Sequence, residues 1–148
     1  MNHVEDLLLQ IARIARSGRD FFVAAEPRIN DAEIRMAFEY IGQVKGRLAA
    51  DLAPFVARTQ TAQPTPAPSV SAAANIEKMY RDIGAALPRV NRVNANALAS
   101  SEEHLLRLVE RAFETSQNAK LKELLKLYYP QLVICREAMT RLRARQAA

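Results

Sequence analysis

Few residues in this chain could do chemistry. It holds two histidines, His3 and His104, and one cysteine, Cys135, among 148 residues. No serine or cysteine has a histidine at a spacing that would pair nucleophile with base, glycine is too sparse for a phosphate-cradling loop, and no nucleotide motif occurs. His104 stands beside Glu102 and Glu103, but one histidine with adjacent glutamates does not have metal-ligand spacing. Both histidines fall in the first turns of expected helices. A lone cysteine cannot close an intramolecular disulfide, and Cys135 lies on an apolar helical stripe. It reads as a packed thiol, with Arg136 only a weak electropositive hint of redox reactivity.

The composition that must position these groups is helical. Hydrophobic residues make up 49% of the chain, and Ala, Leu and Arg, which lose little rotamer freedom in a helix, are abundant. The length suits a single domain, residues 1–148, with a core of its own. No apolar run approaches the roughly 20 residues a membrane span needs, and no basic segment precedes the first apolar residues, so the expectation is a soluble, cytoplasmic protein. The net charge of +5 admits an acidic partner such as nucleic acid. Against that, basic and acidic residues are interspersed along every helix. Only Arg136, Arg141, Arg143 and Arg145 form a concentration, and no aromatic residues interleave them to stack bases.

Apolar periodicity predicts a first helix from His3 to Ala25, with Gly18 on its core face, ended by Pro27. Asn30 with Glu33 makes a capping box for a second helix, whose stripe is Ile34, Phe38, Ile41, Val44, Leu48 and Leu52, and Pro54 is expected to end it. These form one antiparallel hairpin, residues 3–55. Residues 58–74, with prolines at 64, 66 and 68, read as an extended linker, and a short helix follows over 75–86. Gly84, Pro88 and Asn91, Asn94 and Asn96 mark a further irregular stretch. Ser100 with Glu103 signals a third long helix ending near Thr115. A fourth carries Leu121, Leu125, Tyr128, Leu132, Cys135, Met139 and Leu142, with Pro130 expected to kink or break it. The second hairpin spans 100–144. At an offset of about 88 the two hairpins resemble each other, Gly42 falling on Pro130 and Gln43 on Gln131.

The run from Gly18 to Ile41, with Phe21-Phe22-Val23-Ala24-Ala25, a short loop holding Asp31, then Ile34 to Phe38, resembles the first hairpin of ferritin-like bundles of the rubrerythrin and stress-induced bacterial kind. The long connection with a short extra helix is similar to that of ferritin-like proteins of the domain-of-unknown-function class. The resemblance implies an all-α, ferritin-like four-helix bundle of two antiparallel hairpins joined by a long crossover. In that family the chemistry comes from a Glu on each of two helices and a Glu-x-x-His on each of the other two. By the resemblance, those pairs belong at Gln43 to Gly46 and at Gln131 to Ile134, where neither can hold a di-metal centre. Glu26, Glu39, Glu110 and Glu114 remain as carboxylates for a degenerate site. The expectation is therefore a non-enzymatic bundle without cofactor or metal, an interaction, structural or stress-related module. Leu9, Val23, Leu106 and Leu127, beside the main stripes, suggest a homodimer. Two alternatives are a ferritin-like metal-binding oxidoreductase using those four glutamates, and a small basic nucleic-acid-associated regulator.

Overall fold

The fold was analysed in a computed structural model, which describes residues 3–62, 70–89 and 92–147. Every regular element among them is helical: α1 His3–Ala25, α2 Ala32–Ala62, α3 Val70–Ala86, α4 Ala95–Thr115 and α5 Ala119–Ala147, with 3-10 turns at Glu26–Arg28 and Leu87–Arg89. The prolines at 64, 66 and 68 and Asn91 lie outside the described residues. No helix among the described residues is long and apolar enough to cross a membrane.

The α1–α2 connection is closed by its own polar groups. Pro27 starts the 3-10 turn, the Ile29 N–H bonds to the Glu26 carbonyl at 3.1 Å, and the Arg35 guanidinium donates to the Ile29 carbonyl at 2.9 Å. Asp31, rather than Asn30, caps α2: its Oδ1 accepts from the Glu33 and Ile34 N–H groups at 2.9 and 3.1 Å. The backbone donations, with Arg145 nearby, hold the Asp31 carboxyl below its ordinary range. Asn94, rather than Ser100, caps the third long helix, accepting from the Ala97 N–H at 3.1 Å. Ser100 lies inside α4. Asn118 plays the same part for α5, accepting from the Leu121 N–H at 3.1 Å.

An expected helix end and an expected break do not occur. Pro54 sits inside α2 and Pro130 inside α5, and both helices run on without a break. Each proline is on the exposed face, so the carbonyl four residues back, freed of its partner, turns toward water rather than into the core. On the opposite face the stripe continues: Leu48, Leu52 and Val56 are buried in α2, and Tyr128, Leu132 and Cys135 in α5. Hairpin one accordingly extends past residue 55, and α3 begins at Val70, inside the expected 58–74 linker.

Contacts at matching levels give the helix directions. Val23 meets Gly42 and Arg19 meets Gly46, so α1 and α2 are antiparallel. Tyr129 bonds Glu110 and Arg136 bonds Glu103, so α4 and α5 are antiparallel too. Gln131 with Arg47 and Arg145 with Asp31 set α5 antiparallel to α2. α3 lies along α1 in the same direction, Glu77 beside Arg13 and Tyr80 stacked on Phe21 at 5.3 Å. α2 and α4 therefore face each other across the diagonal of the bundle. One apolar core fills it, and Phe21, Phe22, Phe38 and Tyr80 pack at its α1–α2–α3 corner with ring centroids 4.9 to 6.2 Å apart.

The buried positions of the two hairpins correspond at 91 residues, not 88. Leu7 matches Leu98, Ile14 matches Leu105, Phe21 matches Ala112, Ile41 matches Leu132 and Leu48 matches Met139. An error of three residues is close to one 3.6-residue turn and nearly preserves the stripe, which is why the shorter offset looks plausible in sequence. Gly42 and Pro130 are therefore not counterparts.

The caps separate in a simple test. Asn94→Ala should cost about 1 kcal/mol in urea unfolding through loss of the α4 N-cap. Ser100→Ala, at an exposed interior position, should change stability by less than about 0.5 kcal/mol.

Candidate functional site

The interior holds an ion pair. Lys45 of α2 reaches across the diagonal to Glu102 of α4, Nζ donating to Oε1 at 2.8 Å, with 0% and 1% of the two side chains exposed. Each lies on a core stripe by simple periodicity: Lys45 between Ile41, Val44 and Leu48, and Glu102 between Leu98 and Leu105. Three further polar side chains surround them. The Ser101 hydroxyl donates to the Leu98 carbonyl at 2.8 Å, which leaves its oxygen to accept from the Tyr80 hydroxyl at 3.3 Å. Cys135 is buried against the same centre, close enough for its charge state to be felt by Lys45.

Gly18 makes the room. A Cβ there would lie 2.5 Å from Lys45 Cδ, 3.1 Å from Cε and 3.1 Å from the Tyr80 hydroxyl. A glycine on the core face is expected to admit a backbone or a ring. It instead admits the stem of a lysine whose far end is tied to Glu102 and cannot swing clear.

The electrostatics follow from this enclosure. Burial pulls the Lys45 ammonium toward its neutral form, but the Glu102 carboxylate overcomes it, aided by Tyr80 and Cys135, and the net movement is upward. Lys45 is thus a fixed cation and not a nucleophilic amine. Burial pushes the Cys135 thiol up to about 12, Lys45 opposing and Glu102 reinforcing the shift. Burial likewise carries the Tyr80 phenol to about 12. Neither is an acid or nucleophile near neutral pH. The packed-thiol reading of Cys135 stands, since a reactive thiol needs the opposite environment. Glu102 Oε2 has no hydrogen-bond partner among the described residues, although Lys45 has donors to spare.

The positions singled out from sequence do not meet here. Gln43 and Ile134 are exposed, and Gly46 and Gln131 are only half-buried. All four lie off the core stripe, so the place where ligands would have projected inward is one or two residues away, at Val44–Lys45 and Leu132–Cys135. Glu26 and Glu39 line an outer groove on α1–α2 together with Gln43 and Gly46. Glu110 and Glu114 line another on α4–α5, where Glu110 accepts the Tyr129 hydroxyl at 2.9 Å. The four carboxylates are divided between two surfaces and do not converge. Among the described residues no three His, Cys, Asp or Glu side chains could jointly hold a metal, so the donor set does not fit a di-metal centre.

The histidines are peripheral to the ion pair. His3 Nε2 accepts from Arg111 at 3.0 Å. His104 lies in mid-α4 rather than in a first turn, half-buried, and burial followed by Arg111 and Arg107 lowers its pKa. Of the four C-terminal arginines, Arg136 pairs with Glu103 and Arg145 with Asp31, which halves the free charge of the basic segment.

Sequence reading missed Lys45 and Glu102 because a charged residue in a helix is usually solvated. The signal was their phase. Both occupy positions that, on either side, belong to Leu, Ile or Val.

Removing one partner strands the other charge in the core, so Lys45→Met or Glu102→Leu alone should cost about 3 to 5 kcal/mol, whereas the double variant should recover most of that loss. Gly18→Ala should destabilise the wild type markedly but cost much less in a Lys45→Ala background, where the clash with the lysine stem is gone and the helix-propensity gain is set against the remaining Tyr80 hydroxyl contact at 3.1 Å. Urea titrations of the single and double variants read both effects. Alkaline pH acts through the same groups. Unfolding returns Cys135 from about 12 to its ordinary 9.0 and Tyr80 from about 12 to 10.0, and Lys45 from its raised value to 10.5. The unfolded chain then binds fewer protons. Stability should hold below pH 9 and fall as pH rises toward 12, with the onset delayed in Cys135→Val. Compared with known proteins, the chain matches no family model, no curated protein and no solved structure.

Proposed function

We propose that this chain is a metal-free, ferritin-like bundle that acts as an interaction module and associates with a second copy of itself through the outer face of α2. In this reading α3 is the crossover: α2 and α4 run in the same direction, so the chain must return along the bundle between them, and α3 travels beside α1 in the required sense. The ammonium of Lys45 occupies the centre in place of a metal cation and neutralises Glu102, the one deeply buried glutamate among the described residues. Stoichiometric iron, manganese or zinc in the purified protein would contradict that assignment.

The observation that carries the interaction role is the surface around Gly42 and Gly46. Val23 of α1 is 60% exposed, Met36 of α2 is 70% exposed, and Leu127 and Ile134 of α5 are 61% and 50% exposed. Antiparallel register brings Val23 level with Gly42 and Ile134 level with Gln43, so these apolar side chains flank the part of α2 where side chains are smallest. Two of the residues from which the homodimer is expected, Leu9 and Leu106, are taken up by the protein's own core. Val23 and Leu127 remain available. The groove beside Val23, about 510 Å³, carries Arg19 and Arg47 with Glu26 and Glu39. Cations and anions side by side on one patch suit an isologous contact, in which the same patch meets its own copy.

Sedimentation velocity at micromolar concentration should give a species of twice 16.5 kDa. Val23→Glu combined with Ile134→Glu should shift it to monomer with the helical circular dichroism unchanged, and a wild-type protein that is cleanly monomeric overturns the self-association.

A further inference from the structure

We propose that the groove between α1 and α3 is a binding site for a small anionic amphiphile, a medium-chain carboxylate being the simplest ligand of that class. The groove encloses about 510 Å³, within the range of small-molecule sites, and lies on the far side of α1 from the α2 face. Its floor is aromatic and well ordered by packing: Phe21 is 6% and Tyr80 3% exposed, their rings stacked at 5.3 Å. Gly84 leaves one wall open. A Cβ there would meet only Phe21 Cδ1, at 3.8 Å, so the space above this glycine is not filled by the protein's own core.

Charge selects the ligand's sign. Both carboxylates in the groove are already engaged: Glu77 accepts from Arg13 Nε at 3.1 Å and from the Ser17 hydroxyl, and Asp20 accepts from Arg19 at 2.9 and 3.0 Å. Arg28 and Arg81 also line it; Arg81 is near enough to Glu77 to help lower its pKa, but neither arginine makes a hydrogen-bonded ion pair among the described residues. With Glu77 held by Arg13 and Asp20 by Arg19, the lining guanidiniums of Arg81 and Arg28 are the ones left to donate to a ligand. Arg81 lies mid-helix and is the main anchor. Arg28 lies beyond the carbonyl end of α1, where the helix dipole offsets part of its charge and reduces its share. A guanidinium fork donates two parallel hydrogen bonds to a carboxylate, and Ala24, Gly84 and Leu87, above the Phe21–Tyr80 floor, offer the apolar surface for the chain.

The test is isothermal titration of the full chain with sodium decanoate below its micellar concentration. Decanol, decyltrimethylammonium and phosphatidylglycerol vesicles serve as parallel probes. Saturable binding of decanoate, at least tenfold tighter than of decanol or the cationic analogue, is expected. Arg81→Gln should weaken it about tenfold and Arg28→Gln less, and Gly84→Leu should abolish it while leaving circular dichroism and the midpoint of urea unfolding near wild type. Equal affinity for decanol or decyltrimethylammonium, unchanged binding in Gly84→Leu, or binding only to the vesicles overturns the proposal.

Discussion

Lys45 and Glu102 are the pair around which the helices must be arranged. An ammonium and a carboxylate removed from water lose several kcal/mol of hydration each, and their attraction recovers it only at hydrogen-bonding distance. Leucine and isoleucine contacts along the same helices are forgiving, because a slip of one turn replaces one aliphatic neighbour with another. The pair permits no such slip. A one-turn displacement of α2 against α4, about 5.4 Å, would leave both charges buried and apart. The pair's value is thus in selecting one packing over its near neighbours more than in adding net stability, and Gly18, Tyr80 and Ser101 are shaped to it.

The same centre accounts for the chemical quietness of the interior. A buried cysteine, tyrosine and lysine within one electrostatic neighbourhood could in principle form a reactive cluster. Here every shift is in the inert direction: the thiol and phenol are driven toward their protonated forms and the amine toward its charged one. Activation would require the reverse, a thiolate next to an exposed cation or a lysine desolvated without a counter-ion. The chemistry this molecule can offer is consequently on its outside, where grooves combine apolar floors with arginine and glutamate rims.

Much of the architecture was legible in sequence. Apolar periodicity identified every long helix and the hairpin order, because a stripe recurring every three to four residues has one structural solution. The ends were less so. Pro54 read as a stop and Pro130 as a kink or break when judged alone, yet a proline on the solvent side of a helix whose other side is buried costs too little to end it. Caps were misplaced by one residue at Asp31 and by six at Asn94, since several Asx and Ser residues precede each helix and only the backbone selects among them. The candidate site was missed for a different reason. Stripe analysis passes over a lysine between Ile41 and Leu48 as noise, and the positions singled out by the resemblance, Gln43 and Ile134, are on the surface.

Lys45 and Glu102 are separated by 57 residues, and this has a bearing on how the chain is made. At about 5 to 20 residues per second, a ribosome needs roughly 3 to 11 s to extend from one to the other. Through that interval the first hairpin can form its Phe21, Phe22 and Phe38 contacts, but it has no anion with which to enclose the lysine. Its inner face must stay wet at that point. The α1–α2 hairpin therefore cannot mature as an autonomous unit during synthesis, and the final dehydration of the bundle awaits the arrival of α4, joining two sequence-distant halves into one cooperative folding event.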